Sequence, residues 1–258
     1  MRSRGAGGGG RFPGGPLRVS GPRLAAPPGE EWGELPLRAG GVRSPGFAAA
    51  PGPYDGAVLV KWIRCAVVDR RGFERGQRKW AGLLGEPGFR GQGGGWSRLR
   101  PGVAHLFAFW ESRAFYDSFM ARSHHRLAAA QSGTYTDARG RLFEYRGDVK
   151  TGFLPTFADA DVARVAHCRV REERVAHFTL MQEKVWNPAM AGSPGMLRGV
   201  FGEAPGSEFL VLSMWASAAE YGKYRAERVE RLALRAQLEA DVAAITGDVV
   251  DLDPGWTV

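Results

Sequence analysis

Val103-Ala104-His105-Leu106-Phe107-Ala108-Phe109-Trp110 is apolar at every position but one, so neither face of the strand it predicts can rest against water. The chain returns to the same texture at Phe209-Leu210-Val211-Leu212-Ser213-Met214-Trp215, with Trp215 lying 105 residues after Trp110. The same offset separates Gln77 from Gln182 and Tyr116 from Tyr221. Cys65 returns as Cys168, Pro87-Gly88 as Pro194-Gly195, and Gly147-Asp148-Val149 as Gly247-Asp248-Val249. Landmarks spread from end to end predict two copies of one unit, over residues 57–150 and 161–258.

Around that strand the first copy reads as βαββαβ. Val58 to Val67 is β-branched and aromatic, and Asp69 stands as an N-cap before a helix carrying Phe73, Gln77, Trp80 and Leu84 at helical spacing. Phe89 to Ser97 predicts a second strand, in which Gly91, Gly93, Gly94 and Gly95 suggest a bulge or a close backbone approach. After Trp110 a helix through Phe115, Tyr116, Phe119, Met120 and Leu127 leads to a fourth strand, Leu142 to Val149. In the second copy, Val165 to Val170, a helix through Val175, Phe178, Met181 and Val185, Met196 to Phe201, and Phe209 to Trp215 follow the same order. Ser217-Ala218-Ala219-Glu220 then fits a capping box before a helix with Tyr221, Tyr224 and Leu232.

A βαββαβ unit places both helices on one face of a four-stranded antiparallel sheet and leaves the other face bare. An apolar bare face must be covered, and a second copy in the same chain is the economical cover. The expectation is therefore an α+β fold. Two tandem ferredoxin-like repeats form an intramolecular α+β barrel, a monomer with an internal pseudo-dimer, joined by a linker over residues 150–161.

Residues 1–56 differ in kind. Fifteen glycines and nine prolines fall there without apolar periodicity, so this stretch is expected to be a disordered tail. The formal charge of +8 comes almost wholly from arginine without a Lys/Arg block, which argues against nucleic acid as a partner. No apolar run nears the roughly 20 residues that span a bilayer. Met1-Arg2-Ser3-Arg4 leads into glycine rather than an apolar signal segment. Two cysteines make no disulfide framework, and a cytoplasmic setting is expected.

Lys61-Trp62-Ile63-Arg64-Cys65, Gln77-Arg78-Lys79-Trp80-Ala81, Gly88-Phe89 with Gly91-Gln92 and Gly94-Gly95-Trp96, and Phe109-Trp110-Glu111 with Tyr116, Phe119-Met120 and His124 together form a set. It resembles the YdbC-like family, a group without an assigned reaction. That family is similar to the dimeric α+β barrel superfamily, which includes antibiotic-biosynthesis monooxygenases and heme-degrading monooxygenases. The resemblance implies a barrel with a pocket between sheet and helices. Heme-degrading relatives are similar at Trp110-Glu111-Ser112 and Phe115, but Phe119 stands where they carry a second tryptophan, and His124 and His125 come too early for the axial ligand. No cofactor is called for on these grounds.

Several residues could carry chemistry. His124, a turn past Met120 and in register with Tyr116, is a candidate general base or metal ligand, or else one of a surface histidine pair with His125. His105 shares a strand side with Phe107 and Phe109, and its counterpart is Leu210; it must find a hydrogen-bond partner or a ligand. Arg64 and His167 stand at equivalent places on the two first strands and would suit an anion, or point to solvent. Trp62, Trp96, Trp110 and Trp215 could line a flat cavity or simply fill core, with Tyr116 and Phe119 beside them. Paired Cys/His zinc spacing, a Walker motif, a G-x-S-x-G elbow and a complete dinucleotide fingerprint are all missing from the sequence.

The expected function is binding of, or monooxygenase-like action on, a small hydrophobic or aromatic molecule. His124, His105 and Arg64 would be the catalytic groups, and Trp62, Trp110, Tyr116, Phe119 and His167 the binding surface. A non-catalytic ligand-binding or structural barrel is the alternative.

Overall fold

The computed structural model describes residues 58–150 and 157–258. The tail expected over residues 1–56 lies outside the described residues, as do residues 151–156 of the expected linker. The first half runs β1 (Leu59–Val67), α1 (Arg70–Arg78), β2 (Phe89–Ser97), β3 (Val103–Trp110), α2 (Arg113–Arg122), α3 (His124–Ala128) and β4 (Tyr135–Lys150). The second half runs β5 (Val162–Val170), α4 (Val175–Met181), α5 (Asn187–Ala191), β6 (Met196–Ala204), β7 (Glu208–Trp215), α6 (Ala218–Tyr224), α7 (Glu230–Arg235), α8 (Leu238–Asp241) and β8 (Val242–Leu252). Side-chain caps fix the helix starts. Asp69 accepts the Gly72 amide at 2.9 Å, Ser112 that of Phe115 at 3.4 Å, and Ser217 that of Glu220 at 3.2 Å.

All eight strands form one closed antiparallel barrel in the order β1-β3-β2-β8-β5-β7-β6-β4. Each half supplies four neighbouring strands in one order, β4-β1-β3-β2 and β8-β5-β7-β6. The bare faces expected to pack sheet on sheet are thus joined at both edges, which removes the edge strands altogether. The two seams are unequal. β4 and β6 pair from Glu144↔Glu203 to Lys150↔Gly199, whereas β2 and β8 pair only at Gly95↔Leu252, Trp96↔Asp251 and Ser97↔Val250. Beyond that short ladder, Gln92 and Val258 exchange backbone hydrogen bonds of 3.0 and 2.9 Å.

The pleat sorts side chains into two layers. Val60, Trp62, Phe107, Phe109, Phe143, Val165, Leu210, Leu212, Met214 and Val250 fill the barrel interior. Leu59, Trp110, Tyr116, Phe119 and Leu83 pack between the first-half strands and helices, and Trp215, Tyr224, Phe178 and Phe209 do so in the second half. Phe157 inserts into the barrel against Phe107 and Phe109, with ring centroids 6.4 and 6.0 Å away. The glycine run in β2 makes this possible, since a Cβ on Gly93 would stand 2.2 Å from the Phe157 ring. Gly91 sits at a register shift with φ +144°, a backbone state that favours glycine.

Three element boundaries differ from the sequence expectation. β4 starts at Tyr135 rather than Leu142, because it serves both β1 and β6, and its Thr136 to Arg141 portion is too polar to show alternation. The long helix expected to reach Leu127 ends at Arg122, and α3 restarts at His124. Trp80 and Leu84 lie in a 3-10 segment, Lys79–Gly85, that leaves Leu84 exposed. In the second half the helices pass through π-helical turns at Gln182–Trp186 and Arg225–Val229.

Candidate functional site

Inside the barrel, β1 places Trp62 between two imidazoles, with ring centroids 5.9 Å from both His105 and His167. Indole nitrogen only donates, so the 3.0 Å contact from Trp62 Nε1 to His105 Nδ1 requires Nδ1 to be unprotonated. The ring hydrogen then sits on Nε2 and donates to Asp248 Oδ2 at 3.1 Å. Asp248 also accepts the Ser97 hydroxyl at 2.8 Å, and Arg100 Nη1 stands 3.6 Å away. Burial holds the His105 pKa below its ordinary value, against the pull of Asp248. Burial would raise Asp248, but hydrogen bonds from His105 and Ser97 outweigh it and keep the carboxyl below the usual range. Both nitrogens of His105 are therefore engaged, which makes it a satisfied core histidine in this conformation.

On the other side, His167 Nε2 lies 3.0 Å from Glu208 Oε2, which Arg141 Nη1 also bonds. The His167 and Arg141 contacts hold Glu208 below its ordinary value against the opposing effect of burial. Arg64 pairs in register with both His105 and Arg139. Burial first, then the like charges of Arg100 and Arg139, lower its pKa.

Outside the barrel, beneath the first-half helices, the chemistry differs. Lys61 faces the helices beside Leu59 and is only 6% exposed. Its Nζ lies 3.8 Å from Met120 Sδ and 4.8 Å from the Tyr116 ring centroid, and no carboxylate of the described residues is within ion-pair distance. Burial pushes its pKa down to about 8. Around it stand Trp110, whose ring centroid is 4.9 Å from Phe119 and 6.0 Å from Tyr116, and His124, 5.8 Å from Phe119 and 5.7 Å from Trp80. Burial, then Lys61 and His125, drive His124 down to about 4, while burial lifts Tyr116 to about 12. Among the described residues neither the Tyr116 hydroxyl nor the His124 ring makes a hydrogen bond. At neutral pH this layer thus holds an ammonium, a neutral imidazole and a protonated phenol within an aromatic shell.

The structure divides the sequence candidates accordingly. His105, Arg64, Trp62 and His167 belong to the barrel interior, whereas His124, Tyr116, Phe119 and Trp110 belong to the helix layer. The four tryptophans line no common cavity. Trp62 is interior, Trp110 and Trp215 lie under different helices, and Trp96 packs on Phe73 and Trp256. Lys61, Asp248 and Glu208 escaped the sequence reading as functional groups. For Lys61 a signal was available, since alternation puts it on the same side as Leu59 and Cys65, where a strand facing helices should be apolar. Cys65 and Cys168 are buried and unbonded, and burial raises both thiols to about 12, which makes them poor nucleophiles. Among the described residues no cluster of three or more His, Cys, Asp or Glu could hold a metal ion, and no helix is long and apolar enough to cross a membrane.

Residues 59–143 match the model of a domain of unknown function (DUF4937), which covers most of the first half. No curated protein matches the sequence. Among solved structures, a monooxygenase candidate from Fusobacterium nucleatum is similar with a TM-score of 0.65 at 8% identity, covering 77% of this chain and 93% of its own. One from Lactobacillus acidophilus is similar with a TM-score of 0.60 at 14% identity, covering 78% of this chain and 98% of its own. An anthrone oxidase-like protein is similar with a TM-score of 0.57 at 14% identity, covering 78% and 93%. At such identities the likeness is one of fold. The chain has the mixed α+β architecture of monooxygenase-like proteins, and its first half matches a family to which no function is assigned.

Proposed function

We propose that the layer between β1, β3 and the helices α2 and α3 is a binding site for a small, flat, hydrophobic molecule, and that the protein acts on it as a monooxygenase-like enzyme. One observation carries this reading: Lys61 Nζ, the Tyr116 hydroxyl and the His124 ring have no nitrogen or oxygen partner among the described residues beside an apolar, aromatic-rich cluster. Lys61 is buried and His124 half-buried, and polar groups packed against apolar rings without a nitrogen or oxygen partner leave hydrogen-bonding capacity that a ligand can complete. The fold shared with monooxygenase candidates supports the reaction class by analogy alone.

In this reading Trp110, Phe119 and Trp80 form the walls, and His124 is the proton acceptor, because a pKa near 4 keeps it unprotonated at neutral pH. Tyr116 stays protonated and donates. His105, Arg64, Trp62 and His167 act indirectly, by holding β1 and β3 rigid. We read the halves, residues 57–150 and 161–258, as copies of one unit within a monomer, with the second closing the barrel. The alternative, a binding protein without turnover, draws support from the complete satisfaction of His105. Thermal shift and oxygen uptake with a panel of bicyclic and tricyclic aromatics test both readings. Stabilisation abolished by Phe119→Ala with oxygen consumed supports the enzyme, stabilisation without uptake supports the binder, and no stabilisation by any member sinks the site.

A further inference from the structure

A buried ammonium is tolerated only at a cost in solvation, and proteins usually place a carboxylate beside it. Lys61 Nζ meets a thioether and an aromatic face instead, neither of which bears a formal charge. The second half repeats the placement. Arg164 stands on β5 opposite Ser213, with Trp215 two residues further, just as Lys61 stands on β1 opposite Ala108, with Trp110 two residues further. Arg164 is half-buried rather than buried and has no ion pair or hydrogen bond to the described residues, and Tyr224 beside it, 6% exposed, keeps a buried hydroxyl without a partner. A cation without a counter-charge at the same strand position of both halves points to a requirement for positive charge beneath the helices.

Resting on the site proposed above, we infer that the ligand of the first-half layer is a flat aromatic ring bearing one anionic oxygen, met by the Lys61 ammonium and by a hydrogen bond from the Tyr116 hydroxyl. The aromatic shell accounts for the ring, and Lys61 accounts for the charge. Charge-assisted hydrogen bonds in a dry site are the strong ones, so the anion should be selected over its neutral analogue. A phenol would bind as its phenolate, releasing its proton to the buffer.

The probes are 2-naphthol and its O-methyl ether, which share one ring system, and the naphtholate form is visible by its red-shifted absorption. With the full-length protein at pH 7, bound naphthol should show the naphtholate band and bind at least about tenfold more tightly than the ether. Lys61→Met, close in shape and free of charge, should lose both the band and the preference while still binding the ether. Lys61→Arg should retain the band. Naphthol bound in its neutral form by the wild type, or a naphtholate band that survives in Lys61→Met, would overturn the charge pairing and leave the aromatic site standing. Failure of both probes to bind would overturn the site itself.

Discussion

The barrel interior and the first-half helix layer both bury polar groups among aromatic rings, yet they treat them oppositely. Inside, His105 uses both ring nitrogens, Asp248 accepts from His105, Ser97 and the Val249 amide, and Glu208 is held by His167 and Arg141. Beneath the helices, Lys61 meets the Met120 thioether and the Tyr116 ring, and the half-buried His124 packs on Phe119 and Trp80. A satisfied network fixes a structure, whereas an unsatisfied one carries a standing cost that a ligand can relieve. The difference separates residues that build the scaffold from residues that wait for a partner, although both sets are drawn from the same polar side-chain types.

The sharpest way to break this contrast is Asp248→Ala. It strands the Nε2 hydrogen of His105 and the Ser97 hydroxyl in the core, and should lower stability by about 3 kcal/mol in denaturant unfolding. The double variant His105→Leu/Asp248→Val should lose less than the two single changes added together, because it removes both partners. Strict additivity would show that the interior network is not one unit.

The opposite sign is expected in the helix layer. Lys61→Met should raise stability by roughly 2–3 kcal/mol at pH 7, since the folded-state pKa of about 8 lies below the ordinary lysine value. Between those two values the unfolded chain binds more protons, so wild-type stability climbs with pH there and the advantage of methionine shrinks from about pH 8 upward. A gain that stayed constant to pH 10 would place the Lys61 amine in water.

Packing gives a smaller effect. Gly93→Ala drives a methyl into the Phe157 ring and should cost about 1–3 kcal/mol, reduced when Phe157→Leu is added. An unchanged melting point would mean that Phe157 does not occupy the barrel.

The smallest effect is His124→Leu. His124 in the folded protein takes its proton only near pH 4, whereas the unfolded chain takes it near its ordinary value of 6.5. Stability therefore falls as pH drops from about 6.5 to 4, and the variant should show a shallower slope than the wild type across that window. Equal slopes would move His124 out of the buried layer.

Much of this architecture was legible because it depends on local pattern. The apolar run Val103 to Trp110, the caps at Asp69 and Ser217, and the glycines of β2 each announce their element through a few neighbouring residues. The strand polarity of Thr136 to Arg141 hid the start of β4, since a strand shared by two neighbours at a barrel rim needs no apolar alternation. The site was legible only in part. Tyr116, Phe119 and His124 fall at helical spacing in the sequence and could be grouped, but the His105–Asp248 pair joins residues 143 positions apart and depends on a closed sheet. Simple alternation along β1 would have separated Trp62 from Lys61, and with them the scaffold from the candidate site.

The inequality of the two seams has a mechanical consequence. A ring of strands breathes where its ladder is shortest, and here that is the join of β2 to β8, three residue pairs and a terminal clasp at Val258. Amides of Arg98 and Asp253, which bond Val249 and Gly94 carbonyls across this join, should exchange with solvent ahead of those along β4 and β6, so the barrel behaves less like a rigid tube than like a cuff with a single fastening. The Asp248 network sits just inside that fastening, at Ser97, and acts as its inner latch.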